Sequence, residues 1–402
     1  MTARRVAVVG YGTAGQAAAL WLSRLGFELE VFERVSAPGP AGAGFLLQPT
    51  GLWALRQLGL ESAALAVGER IEQLLGSTPA GRRVMDLRYA DAADGRFGLG
   101  MQRGALFQIL HDAMPPGMCL HAGTDIVEVD AEGGMLVDAT GRRHGPYDWL
   151  ILADGAASRL RCAAEVQRDR PYRWGAVWGL LSAPPGFQTG RLEQRYAGTR
   201  HMAGLLPVGR LPGEDAEVRR LCLYWSAPAD QLDSLCAAGE TALQPALRGL
   251  WPAAAELLAS QPEPVEWRAA RYRDAVCRGF GTGRVLRIGD AAHAMSPQLG
   301  QGVNLALLDA AALGQVLARA PDVTLPELRR EVAQARRRHV AVYQRLSRWL
   351  TPWFQSDWQW LAPLRDALAL PVARVPGVAG LAARLLSGRF AWSEPSGGPA
   401  PP

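Results

Sequence analysis

The segment Val6-Ala-Val-Val-Gly10-Tyr-Gly12-Thr-Ala-Gly15, with an acid further on at Glu33, constrains this chain more than any other. Four apolar residues predict a short buried strand. Three glycines then turn the chain into a helix predicted over Thr13–Leu25. A second strand, Glu28–Phe32, closes on Glu33. Strand, glycine turn, helix, strand and acid, in that order, form a dinucleotide-binding βαβ unit. Gly10 permits the tight turn, Gly12 lets backbone approach a pyrophosphate, and Gly15 lets the helix sit close on the strand. The first helical turn, with Thr13 and Ala14, offers unpaired N–H groups and partial positive charge to the phosphates. Glu33 is placed to accept hydrogen bonds from a ribose.

Composition narrows the class. Apolar residues make up 49% and charged residues 20%, an ordinary soluble balance. The chain has no lysine, so its 43 basic residues are all arginine and the formal charge is +5. These arginines are scattered and not interleaved with aromatics, and the run Arg336-Arg337-Arg338 falls in a predicted helix; a nucleic-acid partner is therefore not expected. Cys119, Cys162, Cys222, Cys236 and Cys277 are widely spaced, with no CxxC, and the histidines are dispersed. That pattern predicts free thiols, no metal site and a reducing, cytoplasmic setting. The N-terminus runs straight into the first strand, and no apolar stretch of about 20 residues suggests a membrane span.

The expected architecture is α/β with an α+β insert: a Rossmann-like dinucleotide-binding domain, an inserted antiparallel sheet and a helical C-terminus. Residues 1–170 hold the first part of the dinucleotide domain, with helices predicted over Thr50–Leu58 and Arg103–Ala113 and a buried strand over Trp149–Ala153. Residues 171–275 carry alternating segments at Gly175–Ser182, Arg191–Tyr196, His201–Pro207 and Val218–Ser226, then a helical stretch, Thr241–Leu258. Residues 276–345 return to the first domain with the strand Arg284–Ile288, a helix from Gly302 to Arg319 and a longer helix from Leu325 to Leu350. Residues 346–393 form a C-terminal helical segment broken by Pro371 and Pro376, and 394–402 a disordered tail.

Three glycine–acid signatures stand in order: Gly10 to Gly15 with Glu33; Ala153-Asp154-Gly155; and Gly289-Asp290-Ala-Ala-His293. The last continues as Pro297-Gln-Leu-Gly300-Gln301-Gly302-Val303-Asn304-Leu-Ala-Leu-Leu-Asp309. Together they resemble the single-component (class A) FAD-dependent monooxygenases of the para-hydroxybenzoate hydroxylase-like family. The late motif is most similar to the branch that hydroxylates aromatics in ubiquinone biosynthesis.

The resemblance implies roles residue by residue. Gly10, Gly12 and Gly15 cradle the FAD pyrophosphate, Glu33 holds the adenosine ribose, and Arg34 lies by the adenine. Arg103 matches the family's FAD-contacting arginine, and Ile126 the position of backbone contacts to adenine. Asp154 and Gly155 match its second fingerprint, associated with FAD and NAD(P)H; a plain capping role for Asp154 is the competing reading. Gly289 and Asp290 match the acid on the ribityl and pyrophosphate region. Gln48 and the helix opening at Gly300, Gln301, Gly302, Val303 and Asn304 face the flavin, whose reduced form the helix dipole stabilises. His293 and Pro297 line the flavin side, with packing favoured over catalysis for His293, and Asp309 anchors a helix. No catalytic side chain is assigned.

The chemistry implied is reduction of non-covalently held FAD by NADPH or NADH as a transient co-substrate. Reaction with O2 to a flavin C4a-hydroperoxide follows, then hydroxylation or epoxidation of a hydrophobic aromatic, quinone-like or polyketide-like molecule. The protein supplies a dry, shaped pocket. Wall candidates are Trp178, Tyr196, Met202, Leu205 and Tyr224, and alternation puts Tyr224 and Trp225 on opposite faces. Arg195 and Arg200 are the available carboxylate clamps. The Trp-rich C-terminal segment is expected to pack as a lid, the competing reading being a face toward a membrane interface. A monomer or homodimer is expected. Competing functions are a prenyl-type reductase of the same fold and a non-catalytic FAD-binding scaffold. The lack of lysine argues against a flavin-dependent halogenase, and an NAD-dependent dehydrogenase would leave the two later motifs unexplained.

Overall fold

The five-stranded parallel sheet that opens and closes the dinucleotide domain runs in the order Val285–Arg287, Trp149–Leu152, Arg5–Val9, Glu28–Glu33, Cys119–Ala122. Every neighbouring pair is parallel. Its central strands are covered on both faces, which is why they read as unbroken apolar runs rather than alternating ones. The computed structural model describes residues 4–40, 42–187, 190–373 and 377–394, without the side chains of 369–373. The expected break at Pro376 and all of the expected tail beyond Glu394 lie outside the described residues.

On one face of this sheet the helix Thr13–Arg24 packs against the helix Gly302–Arg319. The contact is close because Gly314 lies directly under the Trp21 indole, where any side chain would overlap the ring. The other face is covered by a three-stranded antiparallel sheet, Ile126–Asp130, Met135–Asp138 and Arg143–His144, through Ile126, Leu136 and Tyr147.

The second large sheet has seven strands: Arg268–Cys277, Val166–Ser182, Arg220–Pro228, His201–Gly209, Arg191–Ala197, Gln73–Ser77 and Arg83–Arg88, in that spatial order. The stretch 171–275 therefore does not contain it whole. The strand Arg191–Ala197 pairs in parallel with Gln73–Ser77, which recruits a hairpin from the first hundred residues. The sheet's back face is covered by the helices Leu232–Ala238, Glu240–Leu250 and Pro252–Ala259. The single helical stretch expected over Thr241–Leu258 is thus two helices, parted where Trp251 leaves helical geometry and Pro252 starts the next. The helix Glu61–Val67 was not expected.

The long helix Leu325–Phe354 begins with a reciprocal capping box between Thr324 and Glu327. It ties the two sheets together: Arg329 donates to Val285 O of the parallel sheet at 3.1 Å, while Gln344 donates to Ala275 O and Gln355, which follows its last turn, donates to Ser226 Oγ, both in the seven-stranded sheet. The next helix, Leu361–Ala373, runs through position 371, where a break was expected. The expected tryptophan lid does not close as packing: Trp349, Trp358 and Trp360 are more than half exposed.

Candidate active site

A cleft of about 240 Å³ opens at the carboxyl ends of the parallel strands, where Gly10, Gly12, Glu33, Arg34, Ile126, Asp154 and Gly155 all line it. These residues come from four separate places in the sequence and meet at the switch point of the sheet, where open α/β folds bind ligands. Gly10 has φ +99°, and a side chain there would drive into the Ala153 carbonyl. An added Cβ at Gly15 would overlap the Gly10 carbonyl, so the helix rests directly on the turn. Gly12 and Gly155 instead face open space. Only an incoming group requires Gly12 to lack a side chain.

Glu33 is fixed from both sides: its carboxylate accepts from Tyr11 N at 2.8 Å and from Val35 N at 2.9 Å. Two carboxylate oxygens have further lone pairs, so a ribose diol can still be accepted. Asp154 is largely buried, burial pushes its carboxyl up, and its Oδ1 has no partner. No helix follows it among the described residues, so it does not act as a cap. Arg159 and Asp125, paired at 2.7 Å, form the rim.

The Gly289–Asp290 turn and the Gly300 loop lie beside this cleft, because the strand Val285–Arg287 neighbours Trp149–Leu152. Asn304 is fully used as a brace. Its Oδ1 accepts from Gln48 N at 2.8 Å, and its Nδ2 donates to Gly300 O at 2.9 Å and Leu46 O at 3.2 Å. Both of its Nδ2 hydrogens are thereby engaged, and the expected approach to a flavin is through the backbone N–H groups of the helix's first turn. Gln48 accepts from the Tyr89 hydroxyl, while its buried Nε2 has no partner and lies near Gly300. Gln301 Nε2 donates to Leu386 O, leaving its buried Oε1 unpaired. Arg103 is exposed, its stem against Gly42, and Pro297 is exposed at the start of the short 3-10 helix Pro297–Leu299.

Two arginines that sequence reasoning missed hold these loops. Arg161, almost fully buried, donates to Ala156 O at 2.8 Å, Ala291 O at 2.8 Å and Asp290 O at 3.0 Å, and also reaches Gly155 O. It therefore clamps the Asp154 loop to the Asp290 turn. Arg336, from the basic run, is buried and donates to Asp309 Oδ1 at 2.8 Å. Asp309 also accepts from Gly289 N at 2.9 Å and pairs with His293 Nε2 at 2.6 Å. His293 is thus held in packing, and Asp309 anchors the turn as well as its own helix. Arg336 continues to His339 Nδ1 at 2.8 Å, and His339 Nε2 donates to Gly388 O at 2.7 Å.

On the front face of the seven-stranded sheet, Trp178 is the cross-strand partner of Tyr224 and Tyr196 that of Met202. The Tyr224 ring lies over Gly204 and the Tyr196 ring over Gly76, two positions where a side chain would displace them. Gln194 joins them, donating to the Tyr224 hydroxyl at 2.6 Å and accepting from Tyr196 at 2.9 Å. Burial pushes both phenols up, so they stay protonated. Leu205 is not part of this wall; it packs in the back-face core with Trp225. Met202 and Leu205 are three apart in one strand, so the pleat puts them on opposite faces. Neither expected clamp is free: Arg195 stacks on Trp251 at 4.5 Å, and Arg200 pairs with Asp357 at 2.7 Å.

The family described as FAD binding domain matches residues 3–342, and the chain belongs to it. A 3-amino-4-hydroxybenzoate 2-monooxygenase of Streptomyces platensis is 32% identical over 351 residues, covering 81% of this chain and 82% of the relative. Aurachin C monooxygenase/isomerase of Stigmatella aurantiaca is 27% identical over 324 residues, covering 79% and 81%. Among solved structures, 2-methyl-3-hydroxypyridine-5-carboxylic acid oxygenase shares the fold with a TM-score of 0.76 at 21% identity, covering 95% of this chain and 96% of that one. The chain is a flavoprotein of the FAD-dependent monooxygenase class, with FAD as its cofactor. Its residues fit that group: a glycine cradle that only an incoming phosphate needs open at Gly12, and unpaired buried polar atoms on Asp154 and Gln48.

Proposed function

We propose that this protein uses NADPH or NADH and O2 to hydroxylate or epoxidise a neutral, apolar aromatic or quinone-like molecule. Bound FAD supplies the two-electron activation of O2. The chain's own residues do the rest. Gly10, Gly12 and Gly15 take the pyrophosphate, with Thr13 and Ala14 in the first helical turn; Glu33 takes the ribose, and Arg34 and Ile126 flank the adenine. Gly289, Asp290 and the first turn at Gly302 and Val303 take the flavin end, with Gln48 Nε2 as a buried donor and Arg103 at the edge. Trp178, Tyr196, Met202 and Tyr224 wall the substrate side and exclude water.

The observation that carries the substrate class is the aromatic front face: the Arg365 guanidinium over Tyr196 is paired with Asp366, Arg200 is paired with Asp357, and Arg195 is turned to the back face against Trp251. A small acid would need a free cation there. Aurachin C monooxygenase/isomerase and 3-amino-4-hydroxybenzoate 2-monooxygenase support oxygen transfer to an aromatic as the reaction type.

The test is to purify the protein and follow NADPH and NADH oxidation with O2 uptake across a panel of phenols, quinone precursors and polyketide aromatics. A compound that accelerates oxidation and returns heavier by one oxygen atom is the expected result. Acceleration only by carboxylate-bearing substrates would refute the neutral-substrate reading. Substrate reduction without O2 uptake would refute the monooxygenase.

A further inference from the structure

Large apolar side chains are exposed mainly in one part of the chain. Among the described residues, Trp349, Trp358, Trp360, Leu364, Leu368 and Leu381 are each at least 40% exposed. Trp353 lies 5.9 Å from Trp349, ring to ring. On the helix Leu361–Ala373, Leu361, Ala362 and Arg365 face the protein, while Pro363, Leu364, Ala367 and Leu368 face out. That spacing is one helical face, and it is apolar on the wrong side for a helix meeting water.

This surface is also neutral. From 349 to 368 the only charged residues are Asp357, Arg365 and Asp366. Asp357 pairs with Arg200 at 2.7 Å, and Arg365 with Asp366 at 2.7 Å. The rim, by contrast, is cationic. Arg173 is almost fully exposed beside Asp357, Arg345 is exposed one turn before Trp349, and Arg384 is exposed one turn after Leu381. Exposed apolar residues concentrated in one segment and flanked by charge mark an interaction site.

We propose that this face docks on the surface of an anionic lipid bilayer. Indole rings prefer the headgroup level, where one edge is apolar and the other wet, and arginines around them meet lipid phosphates. A second copy of the chain would bring the same arginine rim against itself, like charge to like. Among the described residues no helix is long and apolar enough to cross a membrane, so the segment lies on the bilayer. The same helix reaches inward. The Arg365 guanidinium sits 5.1 Å over Tyr196 and 5.4 Å over Phe354. If the substrate is apolar, as the proposed function holds, the docked face delivers it from lipid to the aromatic wall.

The FAD-loaded full chain is to be sedimented with vesicles of phosphatidylcholine alone and of phosphatidylcholine with phosphatidylglycerol. Binding to the anionic vesicles, weakened by salt, is expected. The triple variant Trp349→Ser, Trp358→Ser, Trp360→Ser should bind about tenfold more weakly with unchanged FAD content, the equivalent of about 1.4 kcal/mol. Wild-type tryptophan fluorescence should also be quenched by lipids with brominated chains, a readout that needs no variant. No sedimentation with either vesicle, or equal binding by the triple variant, would overturn the proposal. So would a dimer, by light scattering without lipid, that the triple variant converts to monomer. None of these readouts requires turnover, so a failure here is distinct from a failure of the monooxygenase reading.

Discussion

Asp309→Asn is the substitution through which the buried anchor under the flavin turn is best tested. The Asp309 carboxylate is fully buried, and three groups converge on its two oxygens: Gly289 N and His293 on Oδ2, and Arg336 on Oδ1. An amide keeps the shape but has one acceptor oxygen and one donor nitrogen. If the oxygen serves Gly289 and His293, the nitrogen meets the Arg336 N–H, and a guanidinium only 3% exposed loses its counter-charge. Breaking a buried ion pair from one side costs about 3–5 kcal/mol. That is a large share of the roughly 5–15 kcal/mol that holds a typical domain. Urea unfolding of the FAD-loaded protein, read by flavin and tryptophan fluorescence, should show this loss together with weaker FAD retention. Adding Arg336→Met removes the stranded cation and should recover part of the loss, giving a favourable coupling in a double-mutant cycle. The pH dependence carries a second check. Burial raises the Asp309 carboxyl, but the charges and hydrogen bonds of His293 and Arg336 outweigh it and hold it at about 2, below the ordinary 3.8. A depressed carboxylate stabilises fully above the unfolded value and loses that contribution as pH falls from about 4 through about 2, here on the order of 2 kcal/mol. Asp309→Asn should lose this acid limb. A loss under about 1 kcal/mol with FAD retained would show that the three contacts do not act as an anchor.

Three other outcomes are expected. His339 is held neutral, at about 3 against an ordinary 6.5, by burial and then by the Arg336 charge. Below pH 6.5 the unfolded chain gains a proton that the folded chain refuses, so stability should fall with acid down to about pH 3, and His339→Gln should flatten that slope in urea titrations. Gly15→Ala puts a methyl into the Gly10 carbonyl, a backbone atom that cannot swing away; about 1–3 kcal/mol of destabilisation and an FAD-free, colourless protein after gel filtration are expected. Arg161→Met unclamps the Asp154 loop from the Asp290 turn, and FAD affinity measured by fluorescence should weaken about tenfold or more, with far-UV circular dichroism unchanged.

What was legible in the sequence was what local spacing encodes. Gly10, Gly12 and Gly15 stand at fixed offsets from a strand and a helix, and those offsets alone bring Gly10 and Gly12 to the cleft with Glu33 and seat Gly15 against the turn. Alternation separated Tyr224 from Trp225 correctly, and the same rule applied to Met202 and Leu205 would have removed Leu205 from the wall. What was not legible was pairing between distant segments. Nothing local in Gln73–Ser77 announces that it continues a sheet beyond Arg191–Ala197, since parallel partners share no turn. Arg161 and Arg336 look like other arginines until their acceptors, contributed from far along the chain, surround them. The tryptophans of the C-terminal segment read as core because periodicity reports which residues share a face, not whether anything covers it.

The interleaving of the parallel sheet bears on how the protein is made. Its central strand, Arg5–Val9, leaves the ribosome first, its neighbour Trp149–Leu152 much later, and the outermost Val285–Arg287 later still. The nascent chain therefore carries an open cofactor half-site until the Asp290 turn and its Asp309 anchor have been made. Long-range pairings of this kind form slowly and leave strand edges exposed meanwhile. Free FAD binding the finished cleft draws the equilibrium toward the closed state by mass action. Yield of native enzyme should thus track intracellular flavin supply during expression, with a larger aggregated fraction in riboflavin-starved cells.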